Sequence, residues 1–394
     1  MTPNLRPKII LVALFFSFFV TQTPGILSGL LLVDISQDFN TEIGITAQMR
    51  TLSTGLGLIM ALLMGAISMK YKHKNLLLIG LGLVAASAIG CCYSPSLAVL
   101  FIVYSMSGLG LAMVSPMANS LVGEHFHGDM RPMAIGMLIA SASLSYVFGA
   151  PIISQLEQRI GWRYTFLSYI LILNIISIIL IQTSIPSPEK GSNPSHNFLS
   201  GFKSILRNKS ALACLFGVII SSASWQGLVF FSTSFYRTSF ELPIILAAYM
   251  LSIFAIFFTS GSLLSGKFTN LFGRKKLTII GLLVMGLFTI LFTYVPWFWV
   301  SFPIAVLGCF FGGVRYAASN NMSLEQVPEF RGTMMSLNSA ALNLGQTVGS
   351  MVGGYILITY DWRILGITLG IFGITASIIY YIFTDDPRQQ INIF

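Results

Sequence analysis

Charge is the scarcest property of this 394-residue chain, in which only 9% of residues are Asp, Glu, Lys or Arg. A water-soluble domain averages about 25%, so soluble Rossmann, barrel and sandwich architectures are excluded. Acids are rarer than bases, 13 against 22, and none falls between Ile9 and Leu32. Cysteine is scarce too. Cys91, Cys92, Cys214 and Cys309 lie in or beside apolar runs, without the paired spacing of a disulfide framework or thiolate metal site. No GxxxxGK[ST] loop is present, which argues against ATP hydrolysis. His125 and His127 stand two residues apart and face different directions on a helix end, so no metal site is expected. The spans hold no acid–base pair, so enzymatic chemistry and a catalytic cofactor are not expected either. The alternating ten-residue strands of an outer-membrane barrel are also missing.

Apolar sequence is abundant: 55% of residues are hydrophobic and the mean hydropathy is +0.80. A spanning helix needs about 20 such residues, and an isolated strand would leave its backbone groups unpaired in lipid. Twelve runs qualify, near residues 9–32, 46–68, 75–94, 97–121, 133–155, 163–185, 211–233, 243–266, 277–297, 298–321, 333–357 and 363–384. The first follows Arg6 and Lys8 and precedes no small-residue cleavage site, so it reads as a retained span.

The basic residues assign an orientation. With the amino terminus inside, sixteen lie in cytoplasmic segments and four, Arg159, Arg163, Arg237 and Arg363, lie on the other side. Arg50 and Arg315 fall within spans. Both termini are therefore predicted to be cytoplasmic, and the +9 balance reflects topology, with no nucleic-acid partner.

The chain repeats itself at an offset of about 200 residues. Gly161-Trp162-Arg163 opens span 6 as Asp361-Trp362-Arg363 opens span 12. Arg131 precedes span 5 as Arg331 precedes span 11. Residues Gly65 to Lys74 answer to Gly266 to Lys275, and Gly149 to Gly349. The expected fold is an all-α membrane protein with twelve transmembrane helices in two pseudo-symmetric six-helix bundles. The predicted boundaries are 1–185, a cytoplasmic linker 186–210 carrying Pro186, Ser187, Pro188 and Gly191, and 211–394. Parallel repeats of this kind are a recurrent build of secondary transporters.

These features resemble the major facilitator superfamily over the whole chain. The run from Gly266 through Asn270 to Gly273-Arg274-Lys275 is similar to that family's loop motif. Gly161-Trp162-Arg163 with Phe166 resembles its fifth-loop signature, and Gly149-Ala150-Pro151 the glycine–proline motif of its efflux members. Drug- and sugar-efflux carriers are the most similar branch. The resemblance implies alternating access without covalent chemistry and a cavity lined by spans 1, 4, 7 and 10. It also has departures. The loop acid of relatives falls on Met69 and Asn270, and the span-4 arginine of efflux members falls on Tyr104. Span 1 has no carboxylate, so proton antiport lacks its usual acid.

Ionisable residues within spans cost at least about 2.5–3.5 kcal/mol and mark function by default. Arg315, with Tyr316 beside it and Asn320 a turn on, is a candidate fork for a substrate carboxylate or phosphate. The alternative is a pairing with carbonyls or snorkelling. Arg50 is a second candidate, or else pairs at the mouth with Asp34, Asp38 or Glu42. Gln22, Ser115, Asn119, Trp225 and Gln226 are polar or amphipathic residues of spans 1, 4 and 7, expected in the cavity unless they bond between helices. Gly65, Lys70, Gly266, Asn270, Gly273 and Arg274 form the predicted gating loops. Gly345, Gly349 and Gly353 read as a helix-packing stripe.

The sequence thus predicts a monomeric plasma-membrane carrier exporting a small organic solute of anionic or amphiphilic character. Its other partners are the bilayer and, where transport is coupled, a proton or another ion. An uptake carrier for a sugar, nucleoside or organic acid would share this fold, and a lipid transporter is a further alternative.

Overall fold

A computed structural model describes residues 6–126, 130–186 and 198–386. Every regular element among them is helical, as expected where each segment must satisfy its own backbone groups. The first repeat runs α1 (Arg6–Leu30), α2 (Leu32–Asp38), α3 (Ile43–Lys70), α4 (His73–Cys92), α5 (Leu97–His125), α6 (Met130–Thr165), a π-helical turn (Phe166–Ile170) and α7 (Leu171–Ser184). The short α8 (Phe198–Arg207) then falls inside the predicted linker. The second repeat runs α9 (Lys209–Val229), α10 (Ser232–Ser239), α11 (Ile244–Phe272), α12 (Arg274–Tyr294), α13 (Phe298–Glu325), a 3-10 turn (Pro328–Phe330), α14 (Arg331–Thr359) and α15 (Trp362–Phe383).

Among the described residues ten segments are long and apolar enough to cross a bilayer. One of them, Met133–Ser184, is 52 residues long and bends at Gly161, where φ is +75°; it holds two predicted spans. The other difference is α14, which the hydropathy criterion passes over because Asn338, Asn343 and Gln346 dilute its apolar content. Its 29 residues are nonetheless ample for a span.

Side-chain caps start several of these helices. Ser96 accepts from the Val99 N–H, Asn208 from Ala211 and Asp361 from Ile364, each satisfying an orphan donor of the first turn. Gly273 takes that place at α12 with φ +79°, a conformation a side chain would strain.

The helices form two compact units. The first comprises Met1–Thr41, Gln48–Asn193 and Pro243–Ser252; the second comprises Glu42–Ala47, Pro194–Leu242 and Ile253–Phe394. In the first, α1 packs on α6 and α7, and α4 on α5 and α7. In the second, α9 packs on α14 and α15, and α12 on α13 and α15. The packing plan therefore repeats with the sequence.

The glycine stripe of α14 lies against α9. A Cβ on Gly345 or Gly349 would collide with the Ile219 or Ala223 carbonyl, and one on Gly353 with the Phe231 ring. The stripe brings two backbones together, as small residues do between membrane helices.

Candidate functional site

In the first unit polar candidates gather around Pro24 and Gly25, inside the continuous helix α1. Pro24 cannot donate a helix hydrogen bond, and Gly25 leaves the backbone bare. The guanidinium of Arg50, half-buried on α3, packs there: a Cβ on Gly25 would come within 2.6 Å of Arg50 Nη1. The Tyr104 hydroxyl of α5 bonds the Pro24 carbonyl at 3.0 Å and Ser28 Oγ at 2.8 Å, and Arg50 is a close charged neighbour. A cation from α3 thus sits beside a buried tyrosine of α5.

Of the acids predicted to hold Arg50 at the mouth, Asp38 is taken by Arg163, 2.7 Å away. Gln22, half-buried and just before Pro24, donates to Thr21 Oγ1 at 2.9 Å. Asn119 is exposed and donates to its own helix at Ser115 O, 3.0 Å away. Its amide group is thus already spent in part on α5.

Arg315 lies in the second unit with only 3% of its surface exposed. Its Nη1 donates to Ser221 Oγ of α9 at 2.9 Å, and its Cβ faces Gly281 of α12. Its Nε is buried with no hydrogen-bond partner, and among the described residues no carboxylate pairs with it. At 3% exposure it does not snorkel, among the described residues it caps no carbonyl, and it is held inside the unit.

Its neighbour Tyr316 turns the other way. Phe258 of α11 stands 4.9 Å from the Trp225 ring and 5.8 Å from Tyr316, which joins α9, α11 and α13 in an aromatic wall. Trp225 fits closely over Gly312. Gln226 is buried at 3% exposure. Asn320 accepts from Asn338 Nδ2 of α14 at 3.1 Å, the interhelical bond that polar residues make in membranes.

The loop motifs separate into parts. Gly65 lies in α3 and Lys70 is its exposed last residue; Gly266 faces open space and Asn270 is exposed. Arg274 forms an ion pair with Glu325, at the end of α13. In the first unit His73, at the start of α4, pairs with Glu124 near the end of α5. Each pair spans 51 residues. Both residues of the second pair stand 201 positions after those of the first (274 against 73, 325 against 124). The sequence reading missed these two acids and His73, although that offset picks them out. It also missed Phe258, Ser221 and Asn338, whose roles come only from packing. His125 bonds the Leu121 carbonyl of its own helix, and His127 lies outside the described residues.

The chain matches the profile of the Major Facilitator Superfamily over residues 10–270 and 246–393. It is 22% identical over 390 residues to the uncharacterized MFS-type transporter YwfA of Bacillus subtilis, covering 96% of this chain and 94% of that protein. It is 25% identical over 373 residues to a probable sugar efflux transporter of Helicobacter acinonychis, covering 91% of each. Among solved structures, a point mutant of the nucleoside transporter NupG superposes with a TM-score of 0.78 at 16% identity, covering 96% of this chain and 98% of that one. With its repeated helical units and the profile matched from end to end, the chain belongs to the Major Facilitator Superfamily and is a membrane-spanning transporter of small solutes, not an enzyme.

Proposed function

We propose that this transporter exports a small organic solute of anionic or amphiphilic character across the plasma membrane by alternating access, as a monomer with both termini cytoplasmic. The observation that carries the reading is Arg50, a half-buried cation laid on the bared backbone of Pro24-Gly25 beside Tyr104. A guanidinium there offers a fork to a carboxylate or phosphate. Gln22 supplies a neutral polar contact close by in α1; within the second unit, Trp225, Gln226, Tyr316 and Asn320 are proposed to contact the solute. Arg315, enclosed on Ser221, is proposed to position α9 against α13 and leave the solute to Arg50. The linker 186–210 joins the proposed domains 1–185 and 211–394.

Export is supported by the name of the Helicobacter relative. A second reading, transport of a nucleoside, has its own observation: Trp225, Phe258 and Tyr316 make a wall on which a flat base could stack, and the NupG likeness points the same way. Since α1 holds no acid, proton coupling is expected to be weaker than in acid-bearing relatives, with Asp34 of α2 the nearest carboxylate in the chain.

Thermal-shift screening of the purified protein with organic anions, sugars and nucleosides tests the reading. Organic anions should stabilise the wild type and lose that effect in Arg50→Gln. If nucleosides or sugars stabilise both proteins equally and anions neither, the anionic reading fails. Flux into proteoliposomes with and without a pH gradient measures coupling. For orientation, a cysteine at Ser192 should react in intact cells only with membrane-permeant reagents. All four native cysteines are buried, so background labelling stays low.

A further inference from the structure

The two repeats end alike at the side opposite the His73 and Arg274 ion pairs, and the second leaves a gap where the first is filled. In the first unit the last residue of α2, Asp38, meets Arg163 at 2.7 Å. Arg163 also donates to the Ser94 carbonyl at 2.8 Å and lies near Ser94 Oγ at 3.3 Å. Its guanidinium sits 5.1 Å from the Phe39 ring centre and 4.5 Å from that of Trp162. Cation, acid, hydroxyl and two rings close the end of the unit.

The matching residues of the second unit keep the frame and lose the acid. Trp362 and Arg363 answer to Trp162 and Arg163. An offset of 201 aligns Phe240 with Phe39 and Tyr294-Val295-Pro296 with Tyr93-Ser94-Pro95. The same offset puts Ser239, the last residue of α10, where Asp38 stands, and Val295 where Ser94 stands. Arg363 therefore has neither its carboxylate nor its hydroxyl. It lies 5.5 Å from the Tyr294 ring centre, exposed, with no ion pair among the described residues.

A cavity of about 390 Å³ opens at this place, walled by Phe235, Ser239, Phe240, Tyr294, Trp362 and Arg363. Asp361 also borders it, its Oδ1 accepting from the Ile364 N–H at 3.0 Å as the cap of α15, so its charge is held against that helix start and makes no ion pair with Arg363 among the described residues. Trp297 and Trp299 stand exposed nearby in sequence, at 69% and 82%, as aromatic residues do at a membrane–water interface.

We infer that this cavity binds the anionic head of an amphiphile, with Arg363 receiving an external carboxylate or phosphate where Arg163 receives Asp38. The aromatic walls bury the first carbons of the attached apolar body, and the interfacial position leaves the remaining tail in the bilayer. The head can come from a membrane lipid or from a free amphiphile. This inference needs only the fold of the second unit and does not depend on which solute is carried.

The test uses the full-length protein in neutral detergent and in nanodiscs. Decanoate serves as the free amphiphile, read by thermal shift and by titration of tryptophan fluorescence. Phosphatidylglycerol in phosphatidylcholine nanodiscs, read by lipid retention in native mass spectrometry, serves as the lipid arm. Arg363→Gln should weaken binding at least about tenfold, the scale of a lost charge-assisted bond. Ser239→Asp should do the same by supplying an internal carboxylate, while raising the melting temperature without ligand. Binding of decanoate alone assigns a free amphiphile; retention of phosphatidylglycerol alone assigns a lipid. If neither probe binds, or if Ser239→Asp binds both as the wild type does, the inference is overturned. Because Ser239→Asp adds an ion pair, it keeps the test open should Arg363→Gln fail to fold.

Discussion

The ion pairs at the starts of α4 and α12 occupy the same place in the two repeats but hold charge differently. His73 meets Glu124 as a cation only while it is protonated. Arg274 meets Glu325 as a permanent cation. If its acid is lost, the arginine stays charged in a site where its side chain is only 14% exposed. At the opposite end the contrast is Arg163, closed by Asp38, against Arg363, left open beside Ser239. The duplication has preserved positions more faithfully than chemistry. Function has to be sought where two matching positions hold different groups.

The largest effect is expected at the permanent pair. Glu325→Gln leaves a mostly buried guanidinium without its carboxylate and should cost about 2–3 kcal/mol of unfolding free energy, somewhat below the about 3–5 kcal/mol of a fully buried pair because both side chains keep some exposure. Glu124→Gln should cost about 1 kcal/mol, since it weakens a single hydrogen bond to an imidazole. Denaturant unfolding of both variants in one detergent compares them, and equal losses would erase the distinction between the repeats.

The two intramembrane arginines come next. Arg50→Lys keeps the charge but loses the planar fork, so affinity for an anionic solute should fall about tenfold while stability is nearly unchanged. Arg315→Lys should do the reverse, costing about 1–2 kcal/mol with unchanged affinity per folded molecule. Melting and binding measured on the same preparations decide it. A loss of affinity in Arg315→Lys would return that residue to the solute site.

The smallest effect belongs to Asp38→Asn. The Asp38 and Arg163 side chains are 42% and 29% exposed, and Arg163 keeps its bond to the Ser94 carbonyl. A loss of about 0.5–1 kcal/mol is expected. A much larger loss would mean that the closed end of the first unit holds the fold, and that the open end of the second is the greater anomaly.

Most of the fold was legible because lipid leaves the backbone few choices. The apolar runs gave the helices, α14 among them, although its Asn and Gln residues make it the least apolar of the twelve. The two spans joined at Gly161 are also separable in the sequence, since Gly161-Trp162-Arg163 marks the turn. The site was less legible. Arg50 and Arg315 look alike in sequence, each a lone arginine in an apolar run, yet one lies half-buried on the bared backbone of α1 and the other is enclosed against Ser221. Each arginine packs against a glycine of another helix, Arg50 on Gly25 and Arg315 on Gly281, whose missing side chains make room. No periodicity reveals which neighbouring helix uses that room.

The sequence by itself determined the solvent of this protein, its helical class, its duplication and its family. Each of these follows from local composition or from a register held over about 200 residues. Tertiary structure decided which charges meet. It matched His73 to Glu124, Arg274 to Glu325 and Asp38 to Arg163, and it left Arg363 facing a cavity. Ion pairing depends on a few ångströms of separation between helices distant in the chain, since charge interactions fall with distance and hydrogen bonds vanish beyond about 3.5 Å. Hydropathy carries no record of that distance.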